Sequence, residues 1–158
     1  MLESRDSRAA YQTYLIDKYK TPLVSFTAVM PGSVKQNEMS EKIFSSGRSA
    51  IEKALENHKV VYKEIRVKKT GSEAFYCVDL PILTLKREMV EVEENEKLGR
   101  LFDIDVISTD KKPVSRSILG KGERRCLICD GDAHACSRAK KHTSEDLLKA
   151  IERLLADE

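Results

Sequence analysis

Two aspartates, Asp103 and Asp105, stand one residue apart in the stretch "KLGRLFDIDVIS" of residues 97–108. Alternate residues of a β-strand project to the same face of a sheet, so the two carboxylates would lie side by side. Neighbouring carboxylates repel each other and raise one pKa, and a bound divalent cation removes that cost. The pair therefore indicates a hard metal ion, although an ordinary strand with one solvent-exposed polar face gives the same alternation.

Positive charge is concentrated just after the aspartate pair. Between residues 111 and 142, nine lysines or arginines oppose three acidic residues. A phosphate-bearing substrate next to paired carboxylates needs such an excess, because the planar arginine fork matches phosphate oxygens while a metal bridges others. Arg100, just before the aspartates, would face the same phosphates. A solvated basic loop is the alternative interpretation.

The same segment contains cysteines with metal-ligand spacing. Cys126, Cys129, Cys136 and His142 follow the pattern C-x2-C-x6-C-x5-H. Three thiolates and one imidazole would complete a closed tetrahedral zinc site, which is structural and not catalytic. The alternative is that the cysteines are small buried apolar residues. His134 is a weaker substitute ligand.

Hydrophobic periodicity predicts the elements that must position these residues. The predicted helices span 5–19, 37–56, 81–95 and 144–156, and the predicted strands span 21–30, 60–69, 73–80 and 101–107. The segment 81–95 is ambiguous, because "MVEVE" at 89–93 alternates like a strand. Gly47, inside the second helix, marks either close packing or a ligand. Residues 109–143 are expected to be irregular.

This order of elements predicts an α+β fold in one domain, residues 1–158, with the basic Cys/His-containing loop 109–143 inside it. The central six elements fit a ferredoxin-like split βαβ core: a mostly antiparallel sheet with helices on one face, plus N- and C-terminal helices. In that topology the last strand pairs with the first, and the aspartates lie on an open polar face. A polymerase-β-like nucleotidyltransferase arrangement is the structural alternative.

Composition excludes several other classes of function. The net charge of +2 gives no global case for nucleic-acid or membrane binding, and no apolar run approaches the length that spans a bilayer. The N-terminal "MLESRDSRAA" lacks the apolar core of a secretion signal. Four cysteines in such a chain favour thiols or metal over disulfides, so the cytoplasm is the expected location.

Three long motifs, taken together, resemble a known family. They are "PLVSFTAVMPGSVK" (22–35), "LGRLFDIDVIS" (98–108) and "RRCLICDGDAHACSRAKKHTSEDLL" (124–148). The chain is similar here to the citrate lyase holo-acyl-carrier-protein synthases, also called apo-citrate lyase phosphoribosyl-dephospho-CoA transferases. The similarity begins at "SRDSRAA" near the start and reaches the closing helix, while residues 56–80 add little.

The resemblance implies a nucleotidyl-type transfer. The donor would be triphosphoribosyl-dephospho-CoA, the acceptor a serine of the acyl carrier (gamma) subunit of citrate lyase, and the leaving group pyrophosphate. Asp103 and Asp105 would hold Mg²⁺ and act in catalysis. The implied phosphate contacts are Gly99, Arg100, Arg124, Arg125 and Lys35.

Two other functions fit parts of the sequence. One is a non-catalytic, zinc-stabilised module that binds an acidic carrier protein, for which the aspartate pair has no use. The other is a sister activity on the carrier protein of another lyase complex, such as malonate decarboxylase. The C-x2-C motif favours the citrate lyase branch by resemblance.

Overall fold

A computed structural model describes residues 2–32, 35–129 and 131–156 of the chain. The helices are α1 (Leu2–Tyr19), α2 (Glu38–Ala54), α3 (Ile82–Asn95), α4 (Ala133–Ala139) and α5 (Ser144–Ala156). The strands are β1 (Leu23–Ala28), β2 (Lys59–Arg66), β3 (Glu73–Asp79) and β4 (Phe102–Ile107). Short 3-10 turns occupy Gly99–Leu101 and Arg116–Leu119.

The four strands form one antiparallel sheet in the order β2-β3-β1-β4. The first strand lies between the third and the last, as the split βαβ topology requires, so the predicted α+β arrangement is confirmed. The register places Asp105 opposite Ser25 and Asp103 opposite Thr27. Directly opposed residues of antiparallel strands share a face, so this register decides what surrounds the aspartates.

The main core lies between one face of the sheet and the helices α2 and α3. Phe26 of β1 is fully buried and stacks on Phe44 of α2, with ring centroids 5.2 Å apart. Gly47 passes directly over Phe26: a Cβ atom there would lie 2.2 Å from the ring. Close packing, and not a ligand, therefore explains this glycine. The cluster also contains Val24, Ile43, Ile51, Tyr76, Leu85, Met89, Phe102 and Ile104.

The opposite face of the sheet is only partly open, which corrects the expectation of an uncovered polar face. α1 lies across it and buries Leu15 and Ile16 against Leu23, Phe75 and Cys77. This second apolar cluster covers one end of the sheet. The aspartates lie toward the other end, where both remain exposed.

The structure resolves whether 81–95 is a helix or a strand, and it corrects the expectations for 109–143 and for Leu101. The segment 81–95 is helical as α3, because Leu85, Met89 and Val92 pack on the core at helical spacing. The segment 109–143 is not wholly irregular, since it contains the 3-10 turn at 116–119 and the seven-residue helix α4. Strand alternation predicts Leu101 on the same face as the aspartates, but Leu101 lies in the turn before β4 and packs in the main core.

Among the residues that the structure describes, no helix has both the length and the apolar character required to cross a bilayer.

The Gly47 contact predicts the effect of a single methyl group. Gly47→Ala should lower the free energy of unfolding by about 1–3 kcal/mol, because the new Cβ overlaps the Phe26 ring in a packed core. Urea unfolding followed by circular dichroism measures the change. Gly122→Ala is the matched control, since a Cβ at Gly122 meets nothing within 4 Å. Equal stability of the two variants would show that the core accommodates the methyl group.

Candidate active site

Asp103 and Asp105 project from β4 on the face turned away from α2 and α3, as the alternation predicts. Both residues are exposed to solvent. Protein atoms around Asp105 nevertheless restrict its hydration, and this raises its pKa to about 6, with repulsion from Asp103 as the next cause. The pair is therefore a place where added positive charge lowers the electrostatic free energy.

Asp103 opens into a cleft of about 550 Å³, here named the aspartate cleft. Its lining comes from separate parts of the fold, which include α1, β1, the loop after β1, α2, the turn at 70–72, β4, the Arg124 segment and α4. The lining residues used below are Arg8, Thr27, Lys35, Asp103, Arg124 and His134. The cleft thus combines an exposed carboxylate with cationic side chains from distant positions in the sequence.

A second and larger cleft of about 1180 Å³, here named the basic cleft, lies between the end of α3 and the helix α5. Its lining includes Gly99, Arg100, Arg124, Arg125, Lys149 and Arg153. Arg124 belongs to both clefts. The predicted phosphate contacts are therefore divided: Lys35 lies with Asp103, the other four line the basic cleft, and Arg124 joins the two.

Arg124 is bound to the protein by three contacts. Its Nη2 donates to the carbonyl oxygens of Arg100 at 2.7 Å and Gly99 at 3.3 Å, and its Nε lies 3.0 Å from a carboxylate oxygen of Glu93. These contacts fix the turn before β4 to the start of the cysteine segment. Arg124 therefore positions the neighbouring cations in addition to offering charge itself.

The requirement for glycine at Gly99 comes from inside the protein. A Cβ atom there would lie 1.8 Å from the carbonyl oxygen of Glu93. The Gly99 N–H donates to the Glu96 carbonyl oxygen at 3.0 Å, and its own carbonyl accepts from Arg124. Close approach of α3 thus explains this glycine, and its contact with a phosphate stays a prediction.

The other predicted phosphate contacts differ in whether their side chains already have a partner within the protein. Arg100 is exposed, and among the described residues its guanidinium has no hydrogen bond or ion pair. Lys35 donates from Nζ to the Met30 carbonyl oxygen at 2.6 Å, which holds its amine at the aspartate cleft. Arg125 also has a partner within the protein. Arg100 is therefore the most available of these cations.

The predicted cysteine and histidine ligands do come together. One ligand atom from each of Cys126, Cys129, Cys136 and His142 lies within 4.8 Å of the other three. The Nε2 atom of His142 is buried and has no hydrogen-bond partner in the described part of the chain. His134 is not in the cluster and lines the aspartate cleft instead.

Two of the three sulfur atoms accept backbone hydrogen bonds, which favour a thiolate. Backbone N–H groups of Ile128 and Gly131 donate to the sulfurs of Cys126 at 3.5 Å and Cys129 at 3.4 Å. Burial and the neighbouring sulfurs raise the pKa of Cys136 to about 11, so the cluster carries repulsion that a dication would remove. The cluster of Cys126, Cys129, Cys136 and His142 is here named the cysteine knuckle.

The cysteine knuckle is connected to the aspartate cleft through α4. Cys136 lies within α4, and His142 follows its end. His134 and Ser137 of the same helix line the aspartate cleft. Any ion that joins the four ligands therefore fixes the position of one wall of that cleft.

Three charged residues near the aspartates were not predicted from the sequence. Lys86 of α3 is buried, which lowers its pKa, and its charge interacts with Asp105. Glu73 is 2 % exposed, and Arg8 of α1 forms an ion pair with it. Lys86 and Glu73 occupy helix and strand positions that carry no spacing signal. For Arg8, membership of the "SRDSRAA" segment was the only signal.

Comparison with known proteins identifies the family. Residues 1–158 match the family described as apo-citrate lyase phosphoribosyl-dephospho-CoA transferase. A protein of that name from Escherichia coli O7:K1 is 37% identical over 159 residues, which cover 99% of this chain and 87% of the relative. A probable apo-citrate lyase phosphoribosyl-dephospho-CoA transferase of Vibrio cholerae serotype O1 (strain M66-2) is 37% identical over 160 residues, with 99% and 90% covered. The protein of that name from Shigella boydii serotype 18 is 36% identical over 159 residues, with 99% and 87% covered. The aspartate pair, the cationic clefts and the cysteine knuckle thus lie in a chain that belongs to the apo-citrate lyase phosphoribosyl-dephospho-CoA transferase family.

Proposed function

We propose that this chain transfers the phosphoribosyl-dephospho-CoA group from triphosphoribosyl-dephospho-CoA to a serine hydroxyl of the acyl carrier (gamma) subunit of citrate lyase. The observation that supports this most directly is the placement of Asp103 and Asp105 on one exposed face, beside a cleft lined by cations. The names of the relatives, over nearly the whole chain, agree with the same transfer.

In the proposed reaction, the serine oxygen forms a bond to the α-phosphorus of the donor while the bond to pyrophosphate breaks. Asp103 or Asp105 accepts the serine proton. Arg100, Arg125 and Lys35 hold the donor by its phosphates, and the contacts of Arg124 keep the turn that carries Arg100 in place. Positioning and charge neutralisation are the main needs of phosphoryl transfer, so these roles match the reaction.

The aspartate pair fits the chemistry of Mg²⁺. Its oxygen atoms are the hard ligands that Mg²⁺ prefers, both carboxylates are exposed, and Asp105 already carries the electrostatic cost of lying beside Asp103. When bound by these two residues, the ion would supply positive charge to the phosphate oxygens of the donor.

We further propose that the cysteine knuckle binds one structural zinc ion. Cys126, Cys129, Cys136 and His142 provide four ligands, the number that closes a tetrahedral site. Gly131 keeps space at its centre, because a Cβ there would lie 3.3 Å from the sulfurs of both Cys129 and Cys136. In this proposal residues 1–158 act as one transferase domain in the cytoplasm, where the thiols stay reduced.

The aspartates are tested by removing one charge at a time. Asp103→Asn and Asp105→Asn should each slow the modification of the carrier subunit by about 10³-fold or more, because each removes a charged ligand beside the reacting phosphate. Intact-mass measurement of the carrier after incubation with donor and Mg²⁺ reports the transfer. Asp79→Asn is the matched control, since Asp79 is an exposed strand residue of the same sheet outside both clefts. Full modification by both aspartate variants would remove the catalytic assignment and favour a non-catalytic binding module.

The role of Arg100 is tested by the donor concentration that the enzyme needs. Arg100→Gln should raise the KM for the donor about tenfold, with a smaller change in kcat, because it removes a charge-assisted contact to phosphate. Arg87→Gln is the control, since Arg87 is an exposed arginine of α3 outside the two clefts. An unchanged KM in Arg100→Gln would exclude this contact.

The zinc proposal is tested by elemental analysis of protein purified without added metal. We expect about one equivalent of zinc, because closed sites of this type bind the ion tightly. Removal by a chelator should speed hydrogen exchange in residues 124–142 while the sheet stays protected. Cys129→Ser should lose the zinc, and Cys77→Ala should keep it, since Cys77 lies in the second apolar cluster. Less than about a tenth of an equivalent in the unmodified protein would leave the thiols as packing residues.

A further inference from the structure

A buried carboxylate lies in line with Asp103 on the same sheet face. The register pairs Glu73 of β3 with Thr27 of β1, and Thr27 with Asp103 of β4. Directly opposed residues project to one side, so the three side chains form a row across the sheet. Glu73 is 2 % exposed, whereas Asp103 is open to solvent. The row thus runs from the buried Glu73 to the exposed Asp103, which lines the aspartate cleft.

Two cations share the Glu73 carboxylate. Arg8 Nε lies 3.4 Å from one oxygen, and Lys68 Nζ lies 3.1 Å from the other. A buried carboxylate needs such partners, because removing it from water without them costs several kcal/mol. Two positive charges exceed one negative charge, however, so this group retains a net positive charge beside the cleft.

Arg8 brings that charge to the cleft. It reaches the aspartate cleft from α1, and Lys35 and Asp103 belong to the same lining. Only 24% of its side chain is exposed, and its charge is among those that oppose the rise in the pKa of Asp105. The ion pair uses Nε, the inner nitrogen of the guanidinium, so the terminal fork is the part that can meet phosphate oxygens.

We infer that Arg8 binds the polyphosphate of the donor and that Glu73 is the positioning residue that holds it against the sheet. This inference rests on the proposed function, whose donor carries a triphosphate. Lys35 and Arg8 would then contact the phosphates from different parts of the chain, in the same cleft that Asp103 lines. α1 is accordingly part of the substrate site as well as the cover of the second apolar cluster.

Binding of inorganic tripolyphosphate in the presence of Mg²⁺, measured by titration calorimetry, tests the inference without the transfer reaction. Arg8→Gln should weaken binding about tenfold or more, the effect of losing one hydrogen-bonded charge. Arg8→Lys should recover part of the affinity, since it keeps the charge without the fork. Glu73→Gln should weaken binding several-fold, because Arg8 remains but is no longer held.

Arg66→Gln is the matched control for any loss of binding that arises only because α1 packs less firmly on the sheet. Arg66 lies on the same side of the sheet, pairs with Glu64 at 3.2 Å and contacts α1 by stacking on the Tyr11 ring, 4.3 Å from its centroid. It lines neither cleft. Its variant should bind tripolyphosphate as the unmodified protein does. Equal losses in Arg66→Gln and Arg8→Gln would show that only the seating of α1 matters and would overturn the inference.

Arg8→Gln leaves the buried Glu73 carboxylate with Lys68 as its one remaining cationic partner, which destabilises the fold. The double variant Arg8→Gln with Glu73→Gln also removes that carboxylate charge, so it is the control for loss of folding. It removes both charges and should fold, with the same weak binding of tripolyphosphate. Unchanged affinity in a folded double variant would overturn the inference, even if the unmodified enzyme transfers the prosthetic group. Arg8-dependent binding of tripolyphosphate by a protein that fails to modify the carrier would support the phosphate site and refute the proposed transfer.

Discussion

Asp103 and Asp105 repel each other, and the fold holds them side by side because β4 is fixed in register against β1. Six cross-strand pairs set that register, with Phe102, Ile104 and Val106 locked into the main core on the opposite face. A slip by one residue would bury the aspartates and expose the apolar side chains, so the hydrophobic core enforces the arrangement. The free energy of core packing therefore maintains an unfavourable electrostatic contact at the surface.

Charge from distant parts of the chain compensates for this contact. Lys86 lies behind β4 on α3, Arg8 approaches from α1, and Arg124 arrives from the segment after β4; the charges of all three oppose the rise in the pKa of Asp105. None of these residues is close to another in the sequence. The fold thus surrounds two acids with cations while leaving the acids open to solvent, which is the distribution that our proposal of a metal-bound polyphosphate requires.

In our proposal the cysteine knuckle keeps residues 120–143 in one conformation. Residues 120–143 contain few large apolar side chains, and their contribution to the main core is Leu127, which packs at its margin. Such a segment gains little from burial, so other interactions must keep it in one conformation. Backbone bonds from Cys126 to Gly131 and from Ala133 to Arg124 close the turn, and the four converging ligands supply the remaining restraint in our proposal. Through α4 this local order reaches the wall of the aspartate cleft.

The sequence by itself determined the order of the strands and of the helices other than α4, the shared face of Asp103 and Asp105, and the grouping of Cys126, Cys129, Cys136 and His142. Each of these follows from spacing within one segment, where the period of a strand or the reach of a short loop fixes which side chains meet. Only the tertiary structure decided that α1 covers one end of the second face, that Gly47 and Gly99 are required by packing, and that Arg124 joins two clefts. It also brought Arg8 and Glu73 together across 65 residues of chain. These contacts depend on which elements become neighbours in space, and the pattern along a single strand or helix carries no information about that.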